Sequence, residues 1–364
     1  RRMGRIRGLS AGVVLISGML DDALIAALLD GKIAALARAV SIVENGRAGF
    51  EELLAALHPR LGHARRIGLT GPPGAGKSTM TERLVTSYRA QGHRVAVVAV
   101  DPTSPFTGGA LLGDRIRMES VALDPGVYIR SMATRGSLGG LATATREVCD
   151  VLDAAGFDRI LVETVGVGQS ELDVTRMADT TALILVPESG DGIQTLKSGV
   201  IEAADLFVVN KGDRPGAGKL QRELEMSLDL RSGRMSRAPA HHGALRSGPA
   251  SKPAPATGGD EAAWRPPVLV TTASKSEGID EVVAALEAHW TWLSASGMLE
   301  RRRRTRLAER TREVVERAMR KWLWQDSHAD EMIAARLDDV AAGRTSPYDL
   351  AGEIVAALKE GARV

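Results

Sequence analysis

Cysteine, long apolar runs and an excess of either charge are all scarce in this 364-residue chain, and each shortage excludes a class of protein. The single cysteine, Cys149, excludes an internal disulfide and a cysteine-rich metal site, and it indicates a reducing compartment. No apolar run approaches the roughly 20 residues that cross a bilayer, so we expect no membrane span. The formal net charge of +2 argues against nucleic acid as a partner. A chain of this length can bury one large α/β core with smaller helical attachments.

The most informative stretch is the glycine-rich segment 71–78, which follows a short apolar run and precedes a helical pattern. Its spacing, G-x-x-x-x-G-K-S, is typical of a phosphate-binding loop. Gly71, Gly74 and Gly76 tolerate backbone angles that let successive N–H groups face one anion, and the helix dipole adds positive charge. Lys77 would reach the β- and γ-phosphate oxygens, and the Ser78 hydroxyl would hold Mg²⁺. The alternative, a plain glycine turn, is disfavoured by the strand before the loop and the helix after it.

Three carboxylates follow apolar strands or adjoin glycine-rich segments. Asp101 ends the apolar run 94–100, Glu163 ends the run 157–162, and Asp114 lies in the glycine-rich segment 108–114. Taken singly, each could cap a helix or be a solvated loop charge. Because α/β proteins bind ligands at the carboxyl ends of their strands, the three together predict a magnesium site. Related enzymes usually hold Asp where Glu163 stands, so we expect this longer side chain to contact Mg²⁺ through water.

A second nucleotide signal, Asn210-Lys-Gly-Asp213, follows another apolar strand. A carboxylate such as that of Asp213 can accept hydrogen bonds from N1–H and the 2-amino group of guanine, whereas adenine lacks this donor pair. Lys211 can lay its methylene stem along the base. The motif therefore predicts guanine rather than adenine. The last strand and loop, residues 268–274, are placed to close over the base.

The rest of the chain divides into flanking regions. We expect a leader and helical extension at 1–61, a nucleotide-binding domain at 62–296 with a flexible insertion at about 232–259, and a helical arm at 297–364. Residues 1–20, a basic patch followed by an apolar stretch, resemble a presequence, and we interpret them as a non-native or mis-assigned leader with the true start at Met19. The Arg-rich run 301–304 opens an amphipathic pattern, which favours a helix packed on the domain or a partner subunit over binding of nucleic acid or lipid.

Together with the segments 101–104, 129–136 and 163–171, these motifs resemble the MeaB/ArgK family of GTPases, to which the human methylmalonic aciduria type A protein belongs. The resemblance covers about residues 21–364, apart from the insertion. It implies an α/β fold, a P-loop NTPase of the SIMIBI class with a mostly parallel doubly wound sheet, N-terminal helices and a C-terminal helical dimerisation arm. It also implies a GTP-hydrolysing chaperone that gates adenosylcobalamin loading and protects or reactivates a B12-dependent acyl-CoA mutase, usually methylmalonyl-CoA mutase.

By motif match, the resemblance implies roles for individual residues. Phosphate binding falls to the loop and first helical turn, comprising Gly71, Pro72, Pro73, Gly74, Ala75, Gly76, Lys77, Ser78 and Thr79. The implied magnesium ligands are Ser78, Asp101, Asp114 and Glu163, and the implied catalytic residues are Lys77, Asp101 and Glu163. The implied guanine-binding residues are Asn210, Lys211, Asp213, Thr272, Ala273 and Ser274. Relatives often have Ser-Ala where this chain has Thr272-Ala273-Ser274. Gln194 and Lys197 match the mobile segment that couples nucleotide state to the mutase.

The resemblance further implies GTP/GDP and Mg²⁺ as cofactors, and homodimers joined through the C-terminal helices. Its implied partners are an adenosylcobalamin-dependent acyl-CoA mutase and a cobalamin adenosyltransferase, with no nucleic acid and no membrane. The expected location is the cytoplasm, or the mitochondrial matrix in a eukaryote. Val167 stands where many GTPases keep a water-orienting Gln, so we expect slow intrinsic turnover that a partner accelerates. The alternatives are a kinase or energiser of basic amino-acid transport, a nickel-delivery GTPase and a GTP-sensing scaffold.

Overall fold

The computed structural model describes residues 22–101, 118–133, 140–164, 170–189, 198–231 and 263–361. Within these residues, apolar runs rich in Val, Leu and Ile form one seven-stranded sheet in the order β3-β2-β4-β1-β5-β6-β7. Every strand pair in it is parallel. The strands are β1 (Arg65–Thr70), β2 (Val95–Asp101), β3 (Val127–Ala133), β4 (Arg159–Thr164), β5 (Thr180–Leu185), β6 (Leu206–Val209) and β7 (Val268–Val270). The predicted doubly wound parallel sheet is confirmed.

The strand order decides which loops meet. Because all the strands run the same way, the loops that follow them gather at one edge of the sheet. β4 lies between β1 and β2, and its Glu163 is in register with Leu69 of β1 and Ala99 of β2. β5, β6 and β7 follow in order on the other side of β1. The glycine-rich loop after β1 therefore has Glu163 on one side and the loops after β6 and β7 on the other.

Helices cover both faces of the sheet within the first compact unit, residues 1–299. The helices are α1 (22–29), α2 (Ile33–Glu44), α3 (Phe50–Leu57), α4 (Lys77–Ala90), α5 (Glu119–Ala122), α6 (Gly140–Ala154), α7 (Ser170–Met177), α8 (Ser198–Ala203), α9 (Ala217–Arg231) and α10 (Ile279–Ala295). One apolar core joins α1–α3, α6 and α7 to the sheet, and a second joins α4, α5 and α10 to the opposite face. A third lies between β5, β6 and helices α8 and α9.

A buried carboxylate fastens the N-terminal helices to the sheet. Asp153, at the end of α6, is 3% exposed. Its oxygens accept hydrogen bonds of 2.8, 3.1 and 2.9 Å from the backbone N–H groups of residues 62–64, which lead from the N-terminal helices into β1. The guanidinium of Arg66 lies 3.5 Å from Asp153 and 2.7 Å from Asp150. Asp153 thus fixes the point at which the chain enters the central strand.

Replacing Asp153 with alanine is expected to destabilise the fold by about 3 kcal/mol, because three backbone N–H groups, that of Ala64 buried, lose their acceptor and the largely buried guanidinium of Arg66 loses one partner. The measurement is the free energy of unfolding in urea. Asp229→Ala is the matched control, since Asp229 forms an exposed ion pair with Arg265 at 2.9 Å and should cost less than about 1 kcal/mol. Equal losses in the two variants would contradict the role of Asp153.

The lone cysteine is part of the apolar core. Cys149 lies buried in α6, and burial raises the pKa of its thiol to about 12. A thiol with so high a pKa is a poor nucleophile at neutral pH. Among the described helices, none combines the length and apolar character needed to cross a bilayer.

The second compact unit, residues 300–364, is mostly helical over the part that the structure describes, 300–361. It comprises most of α11 (Met298–Lys321), a π-helical turn (Trp322–Asp326), α12 (Ala329–Ala341) and α13 (Pro347–Gly361). Ala329, Leu350 and Ile354 form its small buried core. The Ser346 hydroxyl caps α13, accepting a 3.1 Å hydrogen bond from the backbone N–H of Asp349.

Candidate functional site

The loop between β1 and α4 closes around the side chain of Lys77. The ammonium donates hydrogen bonds to the backbone carbonyls of Gly71, at 2.8 Å, and Pro72, at 3.0 Å. Lys77 is only 6% exposed, so its charge is held inside the loop rather than in solvent. A buried cation beside a ring of backbone N–H groups is suited to binding a polyanion.

Two glycines of this loop cannot carry a side chain. Gly71 has φ +140°, and a Cβ there would lie 2.0 Å from the carbonyl oxygen of Ile184 on β5. Gly76 has φ +86°, and a Cβ there would lie 2.4 Å from Nδ2 of Asn210. These glycines let the loop press against the neighbouring strand and the loop after β6. The glycine spacing seen in the sequence therefore has a packing cause as well as a conformational one.

A cavity of about 360 Å³ opens at the N-terminus of α4. It is lined by Pro73, Gly74, Gly76, Lys77, Ser78, Thr79 and Glu163. The first backbone N–H groups of a helix have no partner within the helix, and the helix dipole places partial positive charge at this end. The cavity is thus suited to an anion, and Glu163 is the one carboxylate among the lining residues that the structure describes.

Glu163 organises two hydroxyl groups of α4. The Ser78 hydroxyl donates a 2.6 Å hydrogen bond to Oε1, and the Thr81 hydroxyl lies 2.8 Å from Oε2. Glu163 is 1% exposed. Since the Ser78 proton points at the carboxylate, the lone pairs of its oxygen remain available to a cation in the cavity.

Asn210 connects three loops at the edge of the sheet. Its amide nitrogen donates a 2.8 Å hydrogen bond to the carbonyl of Ala75 in the glycine-rich loop. Its oxygen accepts hydrogen bonds from the Thr271 hydroxyl, at 3.2 Å, and the Ala273 N–H, at 3.1 Å. Residues 271–277 follow β7 and are called the base loop below. Asn210, 3% exposed, therefore holds the base loop to the phosphate-binding loop.

Asp213 lies at the surface beside the base loop. The ammonium of Lys275 lies 3.0 Å from its Oδ2, and this hydrogen bond lowers the pKa of the Asp213 carboxyl. Asp213 is thus an ionised acceptor at neutral pH. Lys211, two residues earlier, has φ +58°, and the N–H of Gly212 donates a 2.8 Å hydrogen bond to the Thr271 carbonyl. The turn 210–213 and the base loop form one continuous wall.

A family model described as "Methylmalonyl Co-A mutase-associated GTPase MeaB" matches residues 36–328. The chain belongs to the MeaB family. It is 46% identical over 294 residues to a Pyrococcus abyssi protein that carries the name GTPase, covering 81% of this chain and 83% of that protein. It is 36% identical over 324 residues to the GTPase ArgK of Escherichia coli, covering 88% and 91% of the two chains. The resemblance to MeaB/ArgK proteins is confirmed, and the chain is a P-loop GTPase.

Two further similarities extend the comparison. The chain is 36% identical over 301 residues to the mouse methylmalonic aciduria type A homolog, mitochondrial, covering 78% of this chain and 66% of that one. It superposes with a TM-score of 0.61 on the crystal structure of a protein called LAO/AO transport system kinase, at 29% identity, covering 93% and 97% of the two chains. The fold is thus shared with a solved protein over nearly the whole chain.

The structure of this MeaB-family chain brings most of the predicted site residues to one edge of the sheet. The phosphate-binding loop, Glu163, the turn 210–213 and the segment Thr272–Ser274 all lie there. Asp101 is the last residue of β2, with its backbone in register with Ala133 of β3, and nothing is described of its side chain. The remaining predicted positions, Asp114, Gln194, Lys197 and Val167, lie outside the described residues.

The sequence did not predict a role in the site for three further polar residues. Thr81 lies beside Glu163 together with Ser78, and its position three residues after Ser78 on one helix face could have revealed it. Lys275 pairs with Asp213, and Arg83 of α4 contacts the base loop. No local pattern points to these two contacts, because their partners are distant in sequence.

Proposed function

We propose that this protein is a GTP-dependent chaperone of an adenosylcobalamin-dependent acyl-CoA mutase, which gates cofactor loading and protects or reactivates the enzyme. The observation that carries the proposal is the match over residues 36–328 to a family described as mutase-associated. The name of the mouse relative, a methylmalonic aciduria type A homolog, points to the same metabolism. A cobalamin adenosyltransferase is a further proposed partner, as the source of the cofactor.

The test is transfer of adenosylcobalamin to apo-methylmalonyl-CoA mutase, followed by its absorbance, in the presence of this protein with GTP, with GDP or without nucleotide. We expect binding to the mutase in a pull-down, and a transfer rate that depends on which nucleotide is bound. No association with the mutase in any nucleotide state, together with nucleotide-independent transfer, would refute the chaperone role while leaving the GTPase intact.

We infer that GTP binds with its phosphates in the cavity at α4 and its base against the turn 210–213 and residues 272–274. Lys77 and the loop N–H groups would neutralise the charge that builds on the phosphoryl oxygens as water attacks the γ-phosphate. Asp213 would accept hydrogen bonds from guanine. The support for this placement is that the charged lysine and the ionised aspartate lie in loops that Asn210 ties together.

We also propose that Mg²⁺ accompanies the nucleotide, held by Ser78, Asp101, Asp114 and Glu163. Among the described residues, no group of three or more His, Cys, Asp or Glu side chains could hold a metal by itself. The donors present fit Mg²⁺, which prefers oxygen ligands and takes few from the protein when substrate phosphates and water supply the others. The Ser78 hydroxyl is already oriented for this by Glu163. Bound Mg²⁺ would offset negative charge on the phosphates.

Glu163→Gln is expected to raise the Mg²⁺ concentration for half-maximal GTP hydrolysis by about 10- to 100-fold. The amide can donate a hydrogen bond to the Ser78 oxygen, which occupies a lone pair that the cation needs. Hydrolysis is measured across a magnesium titration at saturating GTP. Glu223→Gln, an exposed position on α9, is the control and should leave the titration unchanged. An unshifted titration for Glu163→Gln would remove Glu163 from the metal site.

Slow intrinsic turnover is proposed because Val167 stands in place of a water-orienting glutamine. Single-turnover hydrolysis with and without the mutase tests this, and we expect acceleration when the partner is present. Fast hydrolysis by the protein alone would contradict it.

Gln194 and Lys197 are proposed to transmit nucleotide state to the mutase. In the absence of the mutase, their alanine variants should hydrolyse GTP at the wild-type rate, and the mutase should accelerate them less than it accelerates the wild type.

A homodimer through the helical arm is proposed from the surface of α11. This 24-residue helix has no buried residue, and Val315 and Met319 are 54% and 55% exposed. Leu307 and Val314 are also exposed. Helices gain most of their stability by burying an apolar face, so a second copy of the chain is the proposed cover.

Sedimentation should give a dimer for the wild type, and Val315→Glu combined with Met319→Glu should give a monomer. Glu309→Gln should leave the dimer intact. A monomeric wild type would refute the proposal.

The rival function comes from the name of the solved relative, a transport system kinase. A transport ATPase should prefer adenine, so phosphate release from GTP and from ATP separates the two functions. We expect GTP to be the preferred substrate, because Asp213 is an ionised acceptor beside the base loop. A preference for ATP would favour the rival.

A further inference from the structure

Arg83 links the helix that begins at the phosphate site to the base loop. Its Nε–H donates a 3.2 Å hydrogen bond to the backbone carbonyl of Ala273. The two residues are 190 positions apart in sequence. Arg83 lies on α4 five residues after Ser78, which is about 7.5 Å along a helix axis. One rigid helix therefore carries both a phosphate-site hydroxyl and a contact to the base loop.

The base loop is closed on itself by backbone hydrogen bonds. The N–H of Thr272 donates to the Glu277 carbonyl at 3.0 Å, and the N–H of Glu277 donates back at 3.3 Å. The N–H of Lys275 also donates to the Thr272 carbonyl, at 2.8 Å. Such a compact loop moves as a unit, so its position depends on its attachments to the rest of the domain.

Ala273 is the point at which that unit is held from two sides. Its N–H donates to Asn210, and its carbonyl accepts from Arg83. Ala273 is 1% exposed, and its bond to Asn210 is buried while its bond from Arg83 is partly buried. The Ala273 carbonyl also accepts a 3.2 Å hydrogen bond from the Ser276 N–H, so Arg83 supplies its described bond to an element outside the loop. A hydrogen bond from a charged donor is stronger than a neutral one, so its loss weakens the attachment of the loop to α4.

We propose that Arg83 is a positioning residue for guanine recognition, holding the base loop at a fixed distance from the phosphate site. This rests on the proposed placement of the base against residues 272–274. Among the described contacts, Asn210 ties the loop to the glycine-rich loop, and Gly212 and Asp213 tie it to the turn 210–213. Arg83 ties it to α4. Loss of Arg83 lets the loop shift relative to the phosphates. The contacts to the base then contribute less to the free energy of nucleotide binding, whereas the contribution of the contacts to the phosphates is unchanged.

The test compares two ligands on one protein. GDP reports base and phosphates together, and Mg²⁺-tripolyphosphate reports phosphates alone. Arg83→Met removes the guanidinium but keeps a long apolar stem, and Arg83→Lys keeps the charge and a donor. Arg222→Met is the matched control, because Arg222 bonds only a carbonyl of its own helix α9, at 3.0 Å, among its described contacts.

For Arg83→Met we expect the Kd for GDP to rise by about 10-fold and the GDP dissociation rate to rise in parallel. The Kd for tripolyphosphate should stay within about twofold, with Arg83→Lys intermediate for GDP. Because the ratio of the two Kd values does not depend on the folded fraction, simple destabilisation cannot produce this result. An unchanged GDP Kd, or equal losses for both ligands, overturns the inference. If the wild type itself does not prefer GDP over ADP, the proposed base site fails instead.

Discussion

Replacing Lys77 with alanine is expected to lower kcat for GTP hydrolysis by about a thousandfold, the cost of losing a preorganised charge at the transition state. Lys77 is 6% exposed, and its ammonium is held by the carbonyls of Gly71 and Pro72. A cation already fixed in this position needs little reorganisation when charge develops on the γ-phosphate. Water entering the space left by alanine cannot supply a fixed charge there.

The measurement is single-turnover release of phosphate from GTP at saturating Mg²⁺. Lys219→Ala is the control, since the Lys219 side chain is 78% exposed on α9 and should leave the rate unchanged. The Kd for GDP should rise much less than kcat falls, because GDP lacks the γ-phosphate. Retention of more than about a tenth of the wild-type rate would mean that Lys77 does not act on the transition state.

Replacing Asp213 with asparagine is expected to weaken GTP binding by about 100-fold and to create binding of xanthosine triphosphate. In the proposed site the carboxylate would accept hydrogen bonds from both N1–H and the 2-amino group of guanine. Asparagine presents a donor where the amino group needs an acceptor, which leaves two donors facing each other. Xanthine carries a carbonyl at that position, so the amide can donate to it while its oxygen still accepts from N1–H.

Competition of both triphosphates against a fluorescent guanine nucleotide measures this exchange. Asp229→Asn is the control, because that carboxylate pairs with Arg265 away from the site. A ratio of the two affinities unchanged from wild type would place the base elsewhere. Conversely, reversal of the ratio would establish Asp213 as the guanine acceptor, since a general loss of stability affects both ligands equally.

The local features of the fold could be predicted from the sequence because they depend on neighbouring residues. Phe50–Leu57 is a helix within the segment where the sequence predicts a helical extension, and the apolar run ending at Asp101 is a strand between two neighbours. The glycine-rich loop and the turn 210–213 could be predicted because each is a short motif whose residue types and spacing are typical of nucleotide binding. A continuous apolar run also indicates a strand covered on both faces, which only a parallel sheet with helices on each side provides.

The order of the strands and the contacts between distant loops could not be predicted in this way. Placement of β4 between β1 and β2 brings Glu163 to the hydroxyls of α4. The bridge from Asn210 and the bond from Arg83 to Ala273 join segments separated by 63 and 190 residues. Such contacts depend on how whole elements pack, and periodicity carries no information about that.

The sequence by itself determined that this chain builds a parallel sheet with a glycine-rich loop for an anion, and it predicted a carboxylate suited to guanine. These features depend on residue types and on their spacing along the chain, both of which can be observed in the sequence. Only the tertiary structure decided that Asn210 and Arg83 hold the base loop, that Lys275 pairs with Asp213, and that Glu163 accepts a hydrogen bond from the Ser78 hydroxyl. The physical reason is that a hydrogen bond requires atoms within about 3 Å, and for residues far apart in sequence that distance is set by the packing of the sheet and its helices.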